Sequence, residues 1–478
     1  MNRGLSIIEV LIAMALAVMV ISGAVSASGG FGLTISDSEI GAEAMRQSQD
    51  LTEQINAESR GEYPANASST AIECRDGFCY QKRVATPVAY AAQCSEVVTV
   101  SVSWAGAYGR MLSVDATTTV VDVPQMFALG GGCDMSPPIG EWDPPALFAS
   151  SNFDTGKPTG IDVFQGSVYM TGDHAPYLFI ASTTYATLGQ NSGLFVNTGT
   201  FDAGVQLNDI RVARINGSVY AFVAANSSTK QLRVIDVTDI NDPVLVASST
   251  LANVSGSFPE GFRVYYYDTR LYITTRETAG SEFHIFDVST PSAPVELGNG
   301  YAINRTVESM VITKKLYAGS DHYYAYLATD KNAAELTVLD ITNPAAIAEI
   351  IFADQNVPGN QDGASVYLRG DDLYLGRLSG GASELFVFDA KTPWNGLRMI
   401  GQQNIGAGVI GLAVSGRFAF LSTTKAHQGF QVYDSDPDAL TGAHTVSDVP
   451  GPVANGIRYS NNRVYIASRT DDALRIFY

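Results

Sequence analysis

The chain has 478 residues, room for roughly two or three domains. Hydrophobic residues make up 46% and charged residues only 16%, which excludes disorder driven by charge. With 29 basic against 48 acidic residues the formal charge is −19, which argues against a nucleic-acid partner, because phosphate binding needs clustered Lys and Arg.

The first predicted element is apolar. Leu5 to Val25 carries Glu9 as its only charge, and about 21 residues at ~1.5 Å each span the ~30 Å of a bilayer core. Arg3 precedes the run and the next basic residue is Arg46, so charge asymmetry predicts a cytoplasmic N-terminus and an exported remainder. Ala24-Val25-Ser26-Ala27 is a weak secretory cleavage site, and Glu9 fits a signal peptide badly. The Gly-rich stretch Ser26 to Gly32 weakens the helix. Beyond it, Leu33, Ile40, Ala44, Leu51 and Ile55 fall on one face of an amphipathic helix that Gly61 and Pro64 end.

Gly4-Leu5-Ser6-Ile7-Ile8-Glu9, followed by Val10-Leu11-Ile12-Ala13, resembles the type IV prepilin processing motif. The resemblance implies cleavage after Gly4 by a prepilin peptidase and N-methylation of Leu5, where Phe is commoner. It implies that Glu9 sets filament register, its carboxylate neutralised by the N-terminal ammonium of a neighbouring subunit. The expected layout is a leader over 1–4 and a long N-terminal pilin helix over 5–60, of which 5–25 lies in the membrane or filament core. A small antiparallel head sheet over 61–133 completes an α+β pilin domain.

Within the head, Val97 to Trp104 and Thr117 to Val121 are rich in β-branched residues and predict strands. Cys74-Arg75-Asp76-Gly77-Phe78-Cys79 reads as a hairpin tip around Asp-Gly, closed by a disulfide. Cys94 and Cys133 then form the preferred second bridge, although four Cys allow other pairings. Zinc is a poor fit, since the Cys spacing is wrong and the first His is His174, so no metal is expected.

Gly130-Gly131-Gly132, Pro137-Pro138 and Pro144-Pro145 mark a linker over 134–144. From 145 to 478 the sequence repeats with a period of roughly 50 residues. One piece ends in a Val-Tyr-like pair, at Val168-Tyr169, Val219-Tyr220, Leu271-Tyr272, Leu316-Tyr317, Leu373-Tyr374, Phe418-Ala419 and Val464-Tyr465. The other is an apolar alternation ending in Asp236, Asp287, Asp340, Asp389 or Asp434. These repeats look like the LVIVD family of β-propellers, which implies an all-β ring of about seven blades. Pro145 to Ser151 matches the outer-strand segment Pro243 to Ser249 and is expected to complete the last blade, joining the two ends of the ring.

Catalytic signatures are missing from the sequence: it holds no phosphate loop, no Gly-x-Ser-x-Gly elbow and no HExxH. His174, His284, His322, His427 and His444 are scattered, although His174, His322 and His427 follow comparable strands and suggest one shared rim. The repeated Asp residues read as turn formers. Asp434, Asp436 and Asp438 suggest Ca²⁺ but lack the rest of an EF-hand loop. Tyr265-Tyr266-Tyr267 and Tyr323-Tyr324 read mainly as core, with some rings free for a ligand such as a sugar.

The resulting expectation is a minor type IV pilin carrying an exposed binding module, used at the pilus tip for adhesion. It has no enzymatic activity and no cofactor. A minor pseudopilin of a type II secretion system and a pilus-borne enzyme are the alternatives. Expected partners are other pilins, the prepilin peptidase, the inner membrane before assembly, and an unidentified surface, protein or glycan. The expected location is the inner membrane as a single-pass protein, then the pilus or cell surface.

Overall fold

A computed structural model describes residues 35–59, 72–75, 77–85, 95–106, 110–121, 142, 145–151, 157–182, 196–437, 440, 444–445, 454–468 and 473–478. They fall in two compact units.

The first unit holds helix α1 (Ile35–Ser59) and a four-stranded antiparallel sheet. Its strands β1 (Glu73–Arg75), β2 (Phe78–Ala85), β3 (Ser95–Ala105) and β4 (Met111–Val121) lie in chain order. Alternate residues of β3, Val98, Val100, Val102 and Trp104, face the helix and bury against Ala44 and Ile55, the period of two that a half-buried strand requires. Ile40, expected on that face, is 38% exposed. Cys74 and Cys79 are directly opposite in the β1–β2 hairpin and are joined by a disulfide. Gly77 supplies the positive φ of the turn.

Two expectations are corrected here. The long pilin helix over 5–60 is not seen: among the described residues there is one α-helix, of 25 residues, and the rest is almost all β. The membrane placement also falls, because no described helix is long and apolar enough to cross a bilayer. The described helix is amphipathic. Glu39, Glu43, Arg46, Asp50 and Glu53 give it a polar face, and only a stripe is left to pack on the sheet. Gly4, Leu5, Glu9 and the run 5–25 lie outside the described residues, as do Cys94, Cys133 and the linker 134–144 except Trp142.

Among the described residues, the second unit contains seven four-stranded sheets, here called blades. Blade 1 is Pro158–Phe164, Ser167–Gly172, Leu178–Ser182 and Val196–Phe201. Blade 2 is Leu207–Ile215, Ser218–Ala225, Leu232–Asp236 and Val244–Ser249. Blade 3 is Arg263–Tyr267, Arg270–Thr274, Phe283–Asp287 and Val295–Glu296. Blade 4 is Val307–Tyr317, Ser320–Thr329, Leu336–Asp340 and Ala348–Glu349. Blade 5 is Gly363–Arg369, Asp372–Arg377, Leu385–Asp389 and Arg398–Gln403. Blade 6 is Val409–Ser415, Phe418–Thr423, Phe430–Asp434 and His444–Thr445. Blade 7 is Ala454–Ser460, Arg463–Ser468 and Leu474–Phe477, with Leu147–Ser151 as its outer strand.

Each first strand touches the first strands of both neighbouring blades, so the seven sheets close into a ring around a central channel. The last blade is completed as the repeat pattern predicts. Leu474 pairs with Ser151 and Ile476 with Ala149, and Ala146 and Tyr478 exchange two backbone hydrogen bonds of 3.1 Å. Closure removes the open sheet edge that an unfinished blade would present.

One aromatic per blade marks the ring's core: Tyr169, Phe222, Tyr272, Tyr326, Tyr374, Phe420 and Tyr465. Each sits opposite a β-branched residue of the third strand, as Phe222 does with Val234 and Tyr326 with Val338. All seven are almost wholly buried, where large rings contribute most to packing. The register corrects three repeat assignments: in blade 6 the pair is Ala419-Phe420 rather than Phe418-Ala419. Phe222, not Tyr220, is the equivalent residue in blade 2. Leu316-Tyr317 ends the first strand of blade 4, and its true counterpart is Ala325-Tyr326.

Candidate functional site

The first strands line a channel of about 200 Å³. One register level around it carries Asp162, Arg211, Tyr265, Val311, Tyr367, Ala413 and Arg458, one residue per blade. Polar residues of this level and of the level next to it tie blade to blade. Asp162 accepts the Val212 N–H at 2.8 Å and Arg458 Nε–H at 3.1 Å. Asp209 accepts the N–H groups of Ile210 (2.9 Å) and Val264 (3.1 Å). Arg263 donates from Nε to the Glu308 carbonyl at 2.7 Å, Ser309 Oγ accepts the Val366 N–H at 3.3 Å, and Ser365 Oγ–H reaches the Val409 carbonyl at 3.0 Å. Blades 6 and 7 join instead by stacking of Phe420 on Tyr459, centroids 5.4 Å apart. Burial, then the nearby charge of Arg211, lowers the Arg458 pKa, and burial raises that of Tyr265. This network spends its hydrogen bonds on the scaffold and gives the channel a fixed wall.

At the channel end where the first strands begin lies a basin of about 930 Å³, within the size range of small-molecule sites. It is built from the starts of first strands and from the connections beside them. The loop between blades 2 and 3 contributes Phe258, 56% exposed and at φ 55°, and leads into buried Phe262. Gly256 lets that loop approach the blade 3 turn at Ala279; a Cβ there would come within 3.1 Å of the Ala279 Cβ. From the same turn Arg276 lies over both rings, 4.7 Å from the Phe262 centroid and 5.9 Å from that of Phe258. Glu308 and Asp330 line the basin as well. Asp330 is fixed by accepting the Thr306 N–H at 2.9 Å. Nearby Asp362 has its pKa raised, first by burial and then by the charges of Asp330 and Glu308. The basin thus offers ring faces, the Arg276 guanidinium and carboxylates, that of Glu308 paired with Arg263 at 3.3 Å. It suits a ligand with an apolar body and polar substituents.

The residues singled out from sequence lie elsewhere. Asp236, Asp287, Asp340, Asp389 and Asp434 each accept the N–H two residues on, at 2.8–3.1 Å. They are Asx turns at the other face of the ring, where the hairpin turns lie. Bonds from Ser289 lower the Asp287 pKa. The shared histidine rim does not form. His174 and His427 follow second strands, whereas His322 is at the start of one, at the opposite end of its blade. His284 is buried, held between Glu296 Oε1 (2.7 Å) and the Ser281 carbonyl (3.0 Å). Tyr266 and Tyr324 are core, while Tyr265, Tyr267 and Tyr323 are half-buried. Asp438 and the His444 side chain lie outside the described residues, and no cluster of metal-ligating side chains occurs among those described.

Sequence reasoning missed a set of buried acids. Glu282, Glu335 and Glu384 precede the third strands of blades 3, 4 and 5 and are at most 1% exposed. Glu282 accepts the N–H groups of Ile303 (2.7 Å) and Asn304 (3.0 Å), Glu335 that of Val357 (3.1 Å), and Glu384 those of Ile405 (2.8 Å) and Gly406 (3.1 Å). They hold the connection entering the next blade. The visible signal was an acid directly before the apolar run, as in Ser281-Glu282-Phe283 and Ser383-Glu384-Leu385.

This chain therefore carries a seven-bladed β-propeller. Its sequence matches the LVIVD repeat over residues 278–300 and 323–353, in blades 3 and 4. No curated protein matches it. Solved structures similar to it include the computationally designed Ika8 protein (TM-score 0.45, 10% identity, 70% of this chain and 99% of that one). The WD40 β-propeller domain of Doa1 is another (0.44, 12%, 70% and 97%). A third is a putative 6-phosphogluconolactonase from Bacteroides fragilis (0.45, 10%, 78% and 96%). At such scores nothing of their functions transfers to this chain.

Proposed function

We propose that the chain is a binding protein that performs no chemistry on its ligand, with the basin at the channel mouth as its recognition site. The observation that carries this reading is the basin itself. Phe258, Phe262, Arg276, Glu308 and Asp330 line it together, on strand starts and connections of the ring. A solvent-facing Phe on a strained loop residue is costly unless something covers it.

The finer part of the proposal is that the ring is borne by a minor-pilin-like filament subunit and serves adhesion. It is supported by Gly4 to Glu9, which resemble a prepilin processing site. The partners would be other pilins and the prepilin peptidase, together with the adhesion ligand and no nucleic acid.

The test uses the full chain in a thermal-shift screen against sugars, amino acids, peptides and nucleotides. A stabilising compound is expected, with the shift lost in a Phe258→Ala, Arg276→Ala double variant and the compound recovered unchanged by mass spectrometry. A bound compound returned as a different species would replace binding with catalysis. Stabilisation indifferent to the double variant would move recognition away from the basin. For the filament part, mass spectrometry of the N-terminus is expected to find a chain beginning at methylated Leu5. An intact Met1 or a cut near Ala27 would remove the pilin reading.

A further inference from the structure

The channel wall is divided chemically. At the level where each blade contributes one residue, blades 7, 1 and 2 supply Arg458, Asp162 and Arg211, while blades 3 to 6 supply Tyr265, Val311, Tyr367 and Ala413. One arc is therefore charged and the other is aromatic and aliphatic. The side chains of Arg211 and Arg458 are 19% and 27% exposed, so both guanidiniums are accessible from the channel they line. They are also near one another: burial first, and then the charge of Arg211, lowers the Arg458 pKa. The ring holds them in place. Arg458 Nη1 donates to the Ile457 carbonyl at 2.9 Å and Arg211 Nη1 to the Ile210 carbonyl at 2.7 Å, and the Arg211 guanidinium lies over the Tyr265 ring, 5.7 Å from its centroid.

Charge in the channel is balanced, with Arg211, Arg263 and Arg458 against Asp162, Asp209 and Glu308. Hydrogen bonding is not. Asp162 and Asp209 turn their oxygens to backbone N–H groups, and Asp162 also accepts from Arg458 Nε. Arg211 Nη1 stands 3.6 Å from Asp209, beyond hydrogen-bond reach. A guanidinium carries five N–H donors in a flat fork. Among the described residues Arg211 spends one of them and Arg458 two, and neither Nη2 group donates to any atom. The unspent donors call for acceptor atoms. A carboxylate fits such forks through charge-assisted bonds, roughly twice as strong as neutral ones. The other arc calls for an apolar body, because Val311 and Ala413 offer an oxygen atom nothing in return for its hydration. At about 200 Å³ the channel holds more than a single water. Its two arcs match a small acid with a short apolar body better than an anion that is polar all round.

We propose that the channel binds a small monocarboxylic acid, its carboxylate on Arg211 and Arg458 and its apolar body against Val311, Ala413 and the Tyr265 and Tyr367 rings. Arg263 and Glu308 border both this site and the basin, but the channel site stands whether or not the basin holds a ligand. The probes are benzoate and isovalerate, with benzamide as the uncharged comparison and phosphate and sulfate as the wholly polar ones. Calorimetry on the full chain is expected to find at least one of the two acids binding about tenfold or more tighter than benzamide, phosphate and sulfate. Arg211→Gln should weaken that binding about tenfold, while Phe258→Ala in the basin should leave it within about twofold. Thermal melts check that both variants fold. Crystals of the unaltered chain soaked with 4-bromobenzoate give a readout that needs no variant, with the bromine anomalous peak expected inside the channel on the side of Val311 and Ala413. The proposal is overturned if neither acid binds at millimolar concentration, or if benzamide, phosphate or sulfate binds as tightly as the acids. It is equally overturned if folded Arg211→Gln binds unchanged, if Phe258→Ala weakens binding as much as Arg211→Gln, or if the bromine lies outside the channel.

Discussion

Blades 2 and 4 follow one plan in their inner three strands and diverge at their margins. In both, the central aromatic, Phe222 or Tyr326, pairs with a Val of the third strand and is fully buried. The outer strand differs: six residues in blade 2, Val244–Ser249, against two in blade 4, Ala348–Glu349. Past those two, the chain of blade 4 turns into the 3₁₀ segment Ile351–Ala353, which leaves Ile351 and Phe352 exposed. The difference teaches where the ring tolerates novelty. Inner strands stack on two neighbours and have one solution, whereas outer edges have a free side and can acquire surface chemistry.

Four experiments break or sharpen this contrast. The largest effect is expected where the blades agree. Phe222→Ala and Tyr326→Ala should each cost about 3–5 kcal/mol in denaturant unfolding, and a clear inequality would show that the inner strands are not equivalent. Next come the residues before the third strands. Blade 2 has neutral Gln231, which accepts the Leu251 N–H and donates to the Ser228 and Pro259 carbonyls. Blade 4 has Glu335, whose Oε1 has no hydrogen-bond partner and whose pKa burial raises. Glu335→Ala should cost about 1–3 kcal/mol by orphaning the Val357 N–H, whereas Glu335→Gln should be neutral or stabilising, since it copies blade 2. Losses of equal size in both variants would mean that the charge itself is needed.

The third experiment varies pH. In blade 4, Asp354 caps the Val338 N–H at 3.0 Å, work done in blade 2 by a continuous outer strand. Burial, followed by its hydrogen bond to Glu349 and that group's charge, raises the Asp354 pKa to about 7, while Arg305 holds Glu349 at 2.8 Å. A carboxyl raised in the folded state binds more protons there than in the unfolded chain. Its contribution to stability is therefore complete below its ordinary value of 3.8 and is lost as pH rises toward 7. Asp354→Asn should flatten that part of the pH–stability profile, and an unchanged slope would clear Asp354 of the effect. The smallest change is expected from Ile351→Ser, within about 0.5 kcal/mol, because the residue is 76% exposed. A larger loss in the unfolding midpoint would show that the 3₁₀ segment supports the blade.

The ring was legible because its repeats recur with their turn signals, and the match between Pro145 to Ser151 and Pro243 to Ser249 even revealed the closing strand. The slip at Leu316-Tyr317 has a simple origin. Blade 4 holds a second aromatic stretch, Tyr323-Tyr324-Ala325-Tyr326, and the period alone cannot choose between them when the hairpin is lengthened. The basin was invisible because Phe258, Arg276, Glu308 and Asp330 come from four separate places with no periodicity. The five Asp residues stood out by repetition, and repetition is the mark of a structural task. The long pilin helix was read from the apolar pattern of one end, and the described helix is shorter and serves its own sheet.

The closing strand also sets a timetable. Leu147–Ser151 leaves the ribosome about 320 residues before its partner Leu474–Phe477, an interval on the order of tens of seconds at ordinary translation rates. Throughout that interval a strand is present without the edge it belongs to, and six blades can stack in succession while the seventh waits for its other half. The final event of folding is then a meeting of the earliest and latest parts of the ring. Any mutation that slows synthesis within the last blades lengthens the exposure of the first strand, without altering a single contact of the finished ring.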